Sequence, residues 1–250
     1  MRTVIERLSH RIVIRRRLPA PFAKARIYAS TEGGLRYLRP SLDKVDPVLL
    51  RLAAELVRPG DTVWDIGANL GLFSMAAAVA AGPAGRVLSV EPDVVLVRML
   101  RRSAAASADH APVEVLPAAV TDRCGFVRFC IAQRNRSTNH VDGFGTTQTG
   151  GVRATELVPA FSLDWLAGHF PPPDILKIDV EGAEALVLSG AAEMLRGHPR
   201  IICEVAGENA AAVRDLLAAA GYTLYDGELP ASQRSPVDQA PPNTLAFSGA

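Results

Sequence analysis

Uninterrupted apolar runs are short throughout this sequence. No such stretch reaches about 18 residues, so no transmembrane helix is predicted, and Ile12-Val13-Ile14 near the N-terminus is too brief for a signal-peptide core. Cysteine is scarce as well. Cys124, Cys130 and Cys203 leave one thiol over from any closed disulfide set and lack the paired spacing of a metal site. They read as reduced thiols of a cytoplasmic protein, with Cys203 in the core because it sits in an apolar run. Excess charge is missing too: the formal net charge is +1, too small for the broad basic footprint of a nucleic-acid partner or an acidic membrane surface. Internal repeats and long low-complexity tracts are absent. What remains is a chain of 250 residues, 48% hydrophobic and 21% charged, enough for one large α/β domain with a substantial core and tight for two.

The basic charge that exists is concentrated at one end. Arg2, Arg7, Arg11, Arg15, Arg16, Arg17, Lys24 and Arg26 crowd the N-terminus, opposed there by Glu6 alone. Residues 1–43 are therefore expected to be a basic lead-in: a solvated, partly helical arm packed on the domain or on a second subunit of a homo-oligomer, with acidic lipid, nucleic acid or an anionic substrate as the alternative occupants. The domain proper is expected over 44–250.

From Asp46 the punctuation alternates between strand and helix, which implies a parallel sheet covered on both faces. Asp46-Pro47 predicts an N-cap and a proline in the first turn of a helix ending before Pro59-Gly60. Strands are predicted over 62–66, 86–90 and 113–116, with helices over 71–81 and 93–107 between them. Strands over 125–131 and 152–158 flank a Gly, Thr and Asn-rich stretch, 133–151, whose length marks it as a functional or mobile inserted loop. The parallel pattern resumes with strands over 174–178 and 200–205, helices over 184–195 and 209–220, and closing strands over 222–225 and 244–247 joined by a Pro, Ser and Gln-rich surface loop.

The first strand ends in Asp65 and turns through Gly67, Ala68, Asn69 and Gly71 into a helix. Glycine permits positive φ and close approach of a ligand to the backbone, the helix offers unpaired amides to a carboxylate, and Asp65 can meet a cationic amino group. Glu91, ending the second strand before Pro92, can accept both hydroxyl hydrogens of a ribose. A dinucleotide site needs the G-x-G-x-x-G spacing for its pyrophosphate, and Gly67-Ala68-Asn69-Leu70-Gly71-Leu72-Phe73 lacks it, which tells against an NAD-dependent oxidoreductase.

Asp65-x-Gly67-x-Asn69-x-Gly71 resembles the first motif of class I methyltransferases. A second, more specific motif is Asp174-Ile175-Leu176-Lys177-Ile178-Asp179-Val180-Glu181-Gly182-Ala183-Glu184, an apolar strand with charges at the end where parallel sheets bind ligands. Together with Glu91-Pro92, Ser162-Leu163-Asp164 and Glu204, these motifs resemble the FkbM family of methyltransferases from about Asp61 to Val205. The resemblance implies a Rossmann-like class I methyltransferase fold: a mostly parallel sheet of about seven strands, helices on both faces and an antiparallel C-terminal strand. It implies S-adenosylmethionine as cofactor, with Asp65, Gly67, Ala68, Asn69, Gly71 and Phe73 near its methionine part, Glu91 and Pro92 near the ribose and Ala119 near the adenine. Phe73, like Trp64 and Trp165, also suits core packing. The implied reaction is methyl transfer to a hydroxyl of a sugar, polyketide or other natural product, glycan or lipid, with Arg136-Ser137-Thr138-Asn139-His140 near the acceptor. A nucleoside-binding partner subunit without turnover is the alternative.

An alkyl hydroxyl is a poor nucleophile and gains from a base or a metal. Asp179 is the first candidate, as a catalytic or orienting carboxylate at the strand end. Glu181, Glu204 and His140 are the others, and Lys177 can pair with a carboxylate or hold a substrate oxygen. Asp179, Glu181 and Glu204 have the hard oxygen ligands that suit magnesium, although nothing in their spacing demands it.

Overall fold

The structure, a computed structural model, describes residues 13–106, 109–133, 136–145 and 150–249. Arg2, Arg7, Arg11 and Arg134 of the expected basic regions lie outside the described residues. The described lead-in is not helical as expected: β1 (Ile14–Arg17) and β2 (Arg26–Ala29) form an antiparallel hairpin, followed by two 3-10 turns, Thr31–Gly33 and Leu35–Leu38. Its apolar residues Leu18, Phe22, Ile27, Tyr37 and Leu42 are buried in the same cluster as the first helices. That burial is what a solvated arm would forgo.

Helix α1 (Pro47–Leu56) begins where Asp46 caps it, Oδ1 accepting from the amide of Leu49 at 2.8 Å, with Pro47 in the first turn. There follow β3 (Thr62–Ile66), α2 (Leu72–Ala81), β4 (Arg86–Val90), α3 (Val94–Ala104), β5 (Val113–Leu116), β6 (Ala119–Val120), β7 (Gly125–Ala132), β8 (His140–Val141), β9 (Val152–Phe161), α4 (Leu163–Ala167), β10 (Ile175–Ile178), α5 (Glu184–Ser189), β11 (Arg200–Glu204), α6 (Ala210–Ala219), β12 (Tyr222–Asp226), β13 (Pro236–Val237) and β14 (Asn243–Ser248).

The main sheet runs β13-β12-β14-β11-β10-β3-β4-β5, with β11, β10, β3, β4 and β5 parallel and β14 antiparallel to both its neighbours. It has eight strands rather than about seven, because two residues of the Pro-rich surface segment, Pro236 and Val237, pair with β12. Alternate residues of each central strand face opposite layers. Val63, Val87, Ile175 and Ile202 pack with α1, α2 and α3, while Trp64, Leu88, Leu176 and Ile201 pack with α4, α5 and α6. Burial on both faces is why these strands read as near-continuous apolar runs.

Two departures from expectation have local causes. The helix expected over 184–195 stops at Ser189 with Gly190 as its C-cap, packed so closely on the backbone of Thr121 and Asp122 that a Cβ there would clash. Asp164 Oδ1 then captures the amides of Glu193 and Met194 at 3.0 and 2.8 Å, starting a separate 3-10 turn. The inserted stretch after Gln133 is partly structured: Arg136–Thr138 is a 3-10 turn, and β8 pairs with β7 in a smaller sheet of order β6-β9-β7-β8. Among the described residues no helix is long and apolar enough to cross a membrane.

Candidate active site

The carboxyl ends of β3, β4 and β10 meet around a cavity of about 320 Å³. Its floor is the turn after β3. Gly67, at φ 76°, donates from its amide to Val90 O at 2.9 Å, and a Cβ there would overlap the carbonyl oxygen of Asp179. Glycine is thus required where the turn abuts the end of β10. Glu91 stands over this turn, Oε2 accepting from the amide of Asn69 and Oε1 from that of Asp93, each at 2.8 Å. Burial raises its carboxyl to about 7, against the pull of those two amides.

The strand end of β10 carries a chain of charges. Lys177 Nζ, buried, lies 3.0 Å from Gly67 O, 3.0 Å from Asp65 Oδ1 and 3.2 Å from Asp179 Oδ2. Burial opposes its charge, but Asp179 and Asp65 outweigh that penalty and hold its pKa above the ordinary lysine value. Glu181, a non-glycine residue at φ 55°, is pushed to about 8 by burial and then by the charges of Asp179 and Glu204. Glu204, at the exposed mouth, is raised to about 7 chiefly by the charge of Asp179. Two carboxyls are thereby poised near neutrality beside one that is clamped by a lysine.

Of the residues expected from the sequence, Gly67, Ala68, Asn69, Phe73, Glu91, Pro92, Ala119, Lys177, Asp179, Glu181 and Glu204 line the cavity. Three expected residues do not. Asp65 is wholly enclosed, with Ser74 Oγ donating to its Oδ2 at 2.5 Å and Lys177 against Oδ1 as an ion pair without hydrogen-bond alignment; its charge is already matched within the protein instead of meeting a ligand's amino group. Gly71 is the left-handed N-cap of α2, where a Cβ would overlap Leu100 of α3, so its role is helix packing. His140, in β8, is buried with Nδ1 3.2 Å from Thr138 O. Among the described residues no group of three or more His, Cys, Asp and Glu side chains could hold a metal ion, so Asp179, Glu181 and Glu204 do not assemble the magnesium site their chemistry allowed.

Residues not anticipated complete the wall. Arg36 and Tyr37 come from the lead-in and Asp46 from the cap of α1. Ser137, Thr138 and Asn139 also line the cavity, on a turn that is tied down by Asp93. Asp93 Oδ2 accepts from Arg136 Nη1 at 2.5 Å and from Asn139 Nδ2 at 2.7 Å, while Oδ1 caps α3 through the amide of Val95 at 2.8 Å. The sole sequence signal for this tie was a cap residue following Glu91-Pro92. Its partners stand 43 and 46 residues further on.

Residues 65–224, more than half of the chain, match the family described as the Methyltransferase FkbM domain. The hexuronic acid methyltransferase AglP of Haloferax volcanii is 28% identical over 162 residues, 63% of this chain and 61% of that protein; the chain thus spans about three fifths of that relative's length. Solved structures with similar folds include TrmN from Thermus thermophilus, at 20% identity and a TM-score of 0.47 over 85% of this chain and 50% of that one. The precorrin-6y C5,15-methyltransferase of Geobacter metallireducens gives 14% and 0.46, over 82% of this chain and 87% of that one. A SAM-dependent O-methyltransferase of Thermotoga maritima gives 14% and 0.44, over 81% and 64%.

Proposed function

Because the chain belongs to the FkbM methyltransferase family, we propose that it transfers a methyl group from S-adenosylmethionine to a hydroxyl oxygen of a sugar or sugar-bearing acceptor. The observation that carries this reading is that Glu91, Lys177, Asp179, Glu181 and Glu204 meet on one cavity at the carboxyl ends of the parallel strands, with Glu181 and Glu204 raised toward neutrality. The named activity of the Haloferax volcanii relative supports a sugar as the acceptor class.

The cavity residues fit the cofactor. Each oxygen of Glu91 accepts one backbone amide and keeps a lone pair for a ribose hydroxyl. Ala118, Ala119 and Val120 offer small side chains and backbone to an adenine edge, and Asp46, Asp179, Glu181 and Glu204 surround the cavity with acidic groups suited to a cationic ligand. Bound S-adenosylmethionine supplies the electrophilic methyl group. The protein's own task is to align the acceptor oxygen and remove its proton. Glu181, half-buried and raised to about 8, takes that proton, since a base is most effective when its pKa lies near the working pH. Asp179, held by Lys177, orients the hydroxyl, and its charge keeps Glu181 and Glu204 basic. The strained left-handed backbone at Glu181 suits a residue whose aim is fixed by function.

The test combines calorimetric titration of S-adenosylmethionine with mass spectrometry of a panel of hexoses, hexuronic acids and their glycosides. A methyl group stable to mild alkali is an ether, whereas one released is an ester of a uronate carboxyl. Cofactor binding with ether formation supports the proposal. Ester formation would replace the hydroxyl acceptor, and cofactor binding without turnover on any acceptor would favour a nucleoside-binding subunit.

A further inference from the structure

Glu181 and Gly182, at φ 55° and 107°, place two left-handed residues in succession between β10 and α5. Glycine takes that conformation freely. For a glutamate it is unfavourable and persists only where the surroundings over-determine it. Two side chains supply the hold. Glu184, in the first turn of α5 and 1% exposed, accepts from the Gly182 amide through Oε1 at 2.7 Å. Asn209 Nδ2 donates both to Glu184 Oε2 and to Gly182 O, each at 2.7 Å. The two peptide groups flanking the Cα of Gly182 are thus clamped, one through its N–H and the other through its C=O. A further segment packs on the same turn: a Cβ on Gly145 would overlap the carbonyl oxygen of Glu181, and one on Gly182 would overlap the backbone of Gly145.

Asn209 is the N-cap residue of α6, where an asparagine ordinarily serves its own helix, yet its side chain makes no cap hydrogen bond. Its donor is spent on the Glu181–Gly182 turn instead. Glu184 is a buried carboxylate, costly unless its oxygens are hydrogen-bonded, and one oxygen goes to the turn and the other to Asn209. Neither side chain lines the methyl-transfer cavity, whereas Glu181 does. Resting on the reading of Glu181 as the base, we propose that Asn209, together with Glu184, is a positioning residue of that cavity: it holds the left-handed backbone that aims the Glu181 carboxyl at the acceptor oxygen. Without Asn209, the buried carbonyl of Gly182 and Oε2 of Glu184 each lose a donor. The turn is then free to leave the left-handed form, and a change of backbone conformation at Glu181 redirects its side chain.

The test is Asn209→Ala in the full chain, with Asn209→Ser, which keeps one donor hydrogen, as the milder variant that carries both measurements if the alanine protein does not fold. Both substitutions are neutral for neutral, so the charges around Glu181, those of Asp179, Glu204, Glu184 and Arg36, stay as they are. A changed titration of Glu181 therefore reports a change of place. The Glu181 carboxyl is followed by carbon NMR of glutamate-labelled protein without ligand, its signal assigned by its loss in Glu181→Gln. In Asn209→Ala it is expected to titrate at lower pH, moving from about 8 toward the ordinary 4.5 as it leaves its half-buried seat, with S-adenosylmethionine affinity unchanged. On an acceptor found in the sugar panel, kcat is expected to fall roughly tenfold or more at unchanged KM, since a misplacement of about 1 Å can cost on the order of 10²-fold. Asn209→Ser should fall between. A merely structural role would lower the melting temperature but leave the Glu181 titration, and kcat measured below the melt, as in the parent; that result, beside lost turnover in Glu181→Gln, overturns the positioning role alone. Full turnover in Glu181→Gln overturns the reading of Glu181 as the base, and the positioning role with it.

Discussion

Replacing Arg136 by methionine removes the ion pair with Asp93 that helps seat the 136–139 turn at the cavity. Arg136 and Asp93 are 9% and 1% exposed, and their ion pair spans 2.5 Å. Methionine keeps most of the apolar stem and removes the charge, leaving a buried carboxylate with Asn139 Nδ2 and the helix-cap amides of Val95 and Leu96. Stripping one partner from a buried pair costs about 3–5 kcal/mol. The three surviving donors put Arg136→Met at the low end, about 3 kcal/mol, and at roughly 2–4 °C per kcal/mol for a chain of this size the melting temperature falls by about 6–12 °C. Asp93→Asn keeps an acceptor for the cap but removes the charge, so the double variant should cost less than the sum of the singles by about 2 kcal/mol. Calorimetric melts of the four proteins measure this directly. S-adenosylmethionine affinity should fall in step, because the Asp93 amide donates to Glu91. Additive single effects, or a loss under about 2 °C for Arg136→Met, would refute the claim that this pair holds the turn.

Four further outcomes follow from the same geometry. Glu181→Gln should lower kcat by about 10²–10⁴-fold with cofactor affinity retained, read by steady-state kinetics and titration. In Asp179→Asn the charge that leads the elevation of Glu204 and comes second for Glu181 is gone, so the acidic limb of the pH–rate profile should move to lower pH. Glu91 has a folded pKa of about 7 against an ordinary 4.5, so its stabilising contribution is full below the unfolded value and is lost as pH rises through the folded one. Ligand-free protein should therefore melt lower as pH goes from about 5 to about 8, and Glu91→Gln should flatten that decline while weakening S-adenosylmethionine by about 10–100-fold. Gly67→Ala should prevent proper assembly of the cavity floor, seen as lost cofactor binding and a large drop in melting temperature, because its Cβ has no space beside Asp179 O.

The parallel strands were readable because burial on both faces gives them continuous apolar runs, and α1 because Asp46-Pro47 spells a cap and a first turn. The short strands β6, β8 and β13 were not, since two residues carry no periodicity and exist only through their partners. At the site, spacing brought forward candidate residues within the two long motifs, and most of those candidates do line the cavity. It could not tell that Asp65 is turned inward to Ser74 and Lys177, because strand register decides which neighbour a terminal carboxylate meets. Nor could it bring Arg136 to Asp93 or Arg36 and Tyr37 to the cavity wall. Those contacts are made across the fold, and local pattern holds no trace of them.

Arg36, Tyr37 and Asp46 line the cavity yet precede residues 65–224, the part matched by the family. The pocket is thus composite: part of its lining lies within the matched region and part in the segment that precedes it. A substitution at Arg36, Tyr37 or Asp46 therefore reshapes the pocket from outside the turn beneath Glu91. Trimming the chain to residues 65–224 would accordingly open the pocket on the side that Arg36, Tyr37 and Asp46 close.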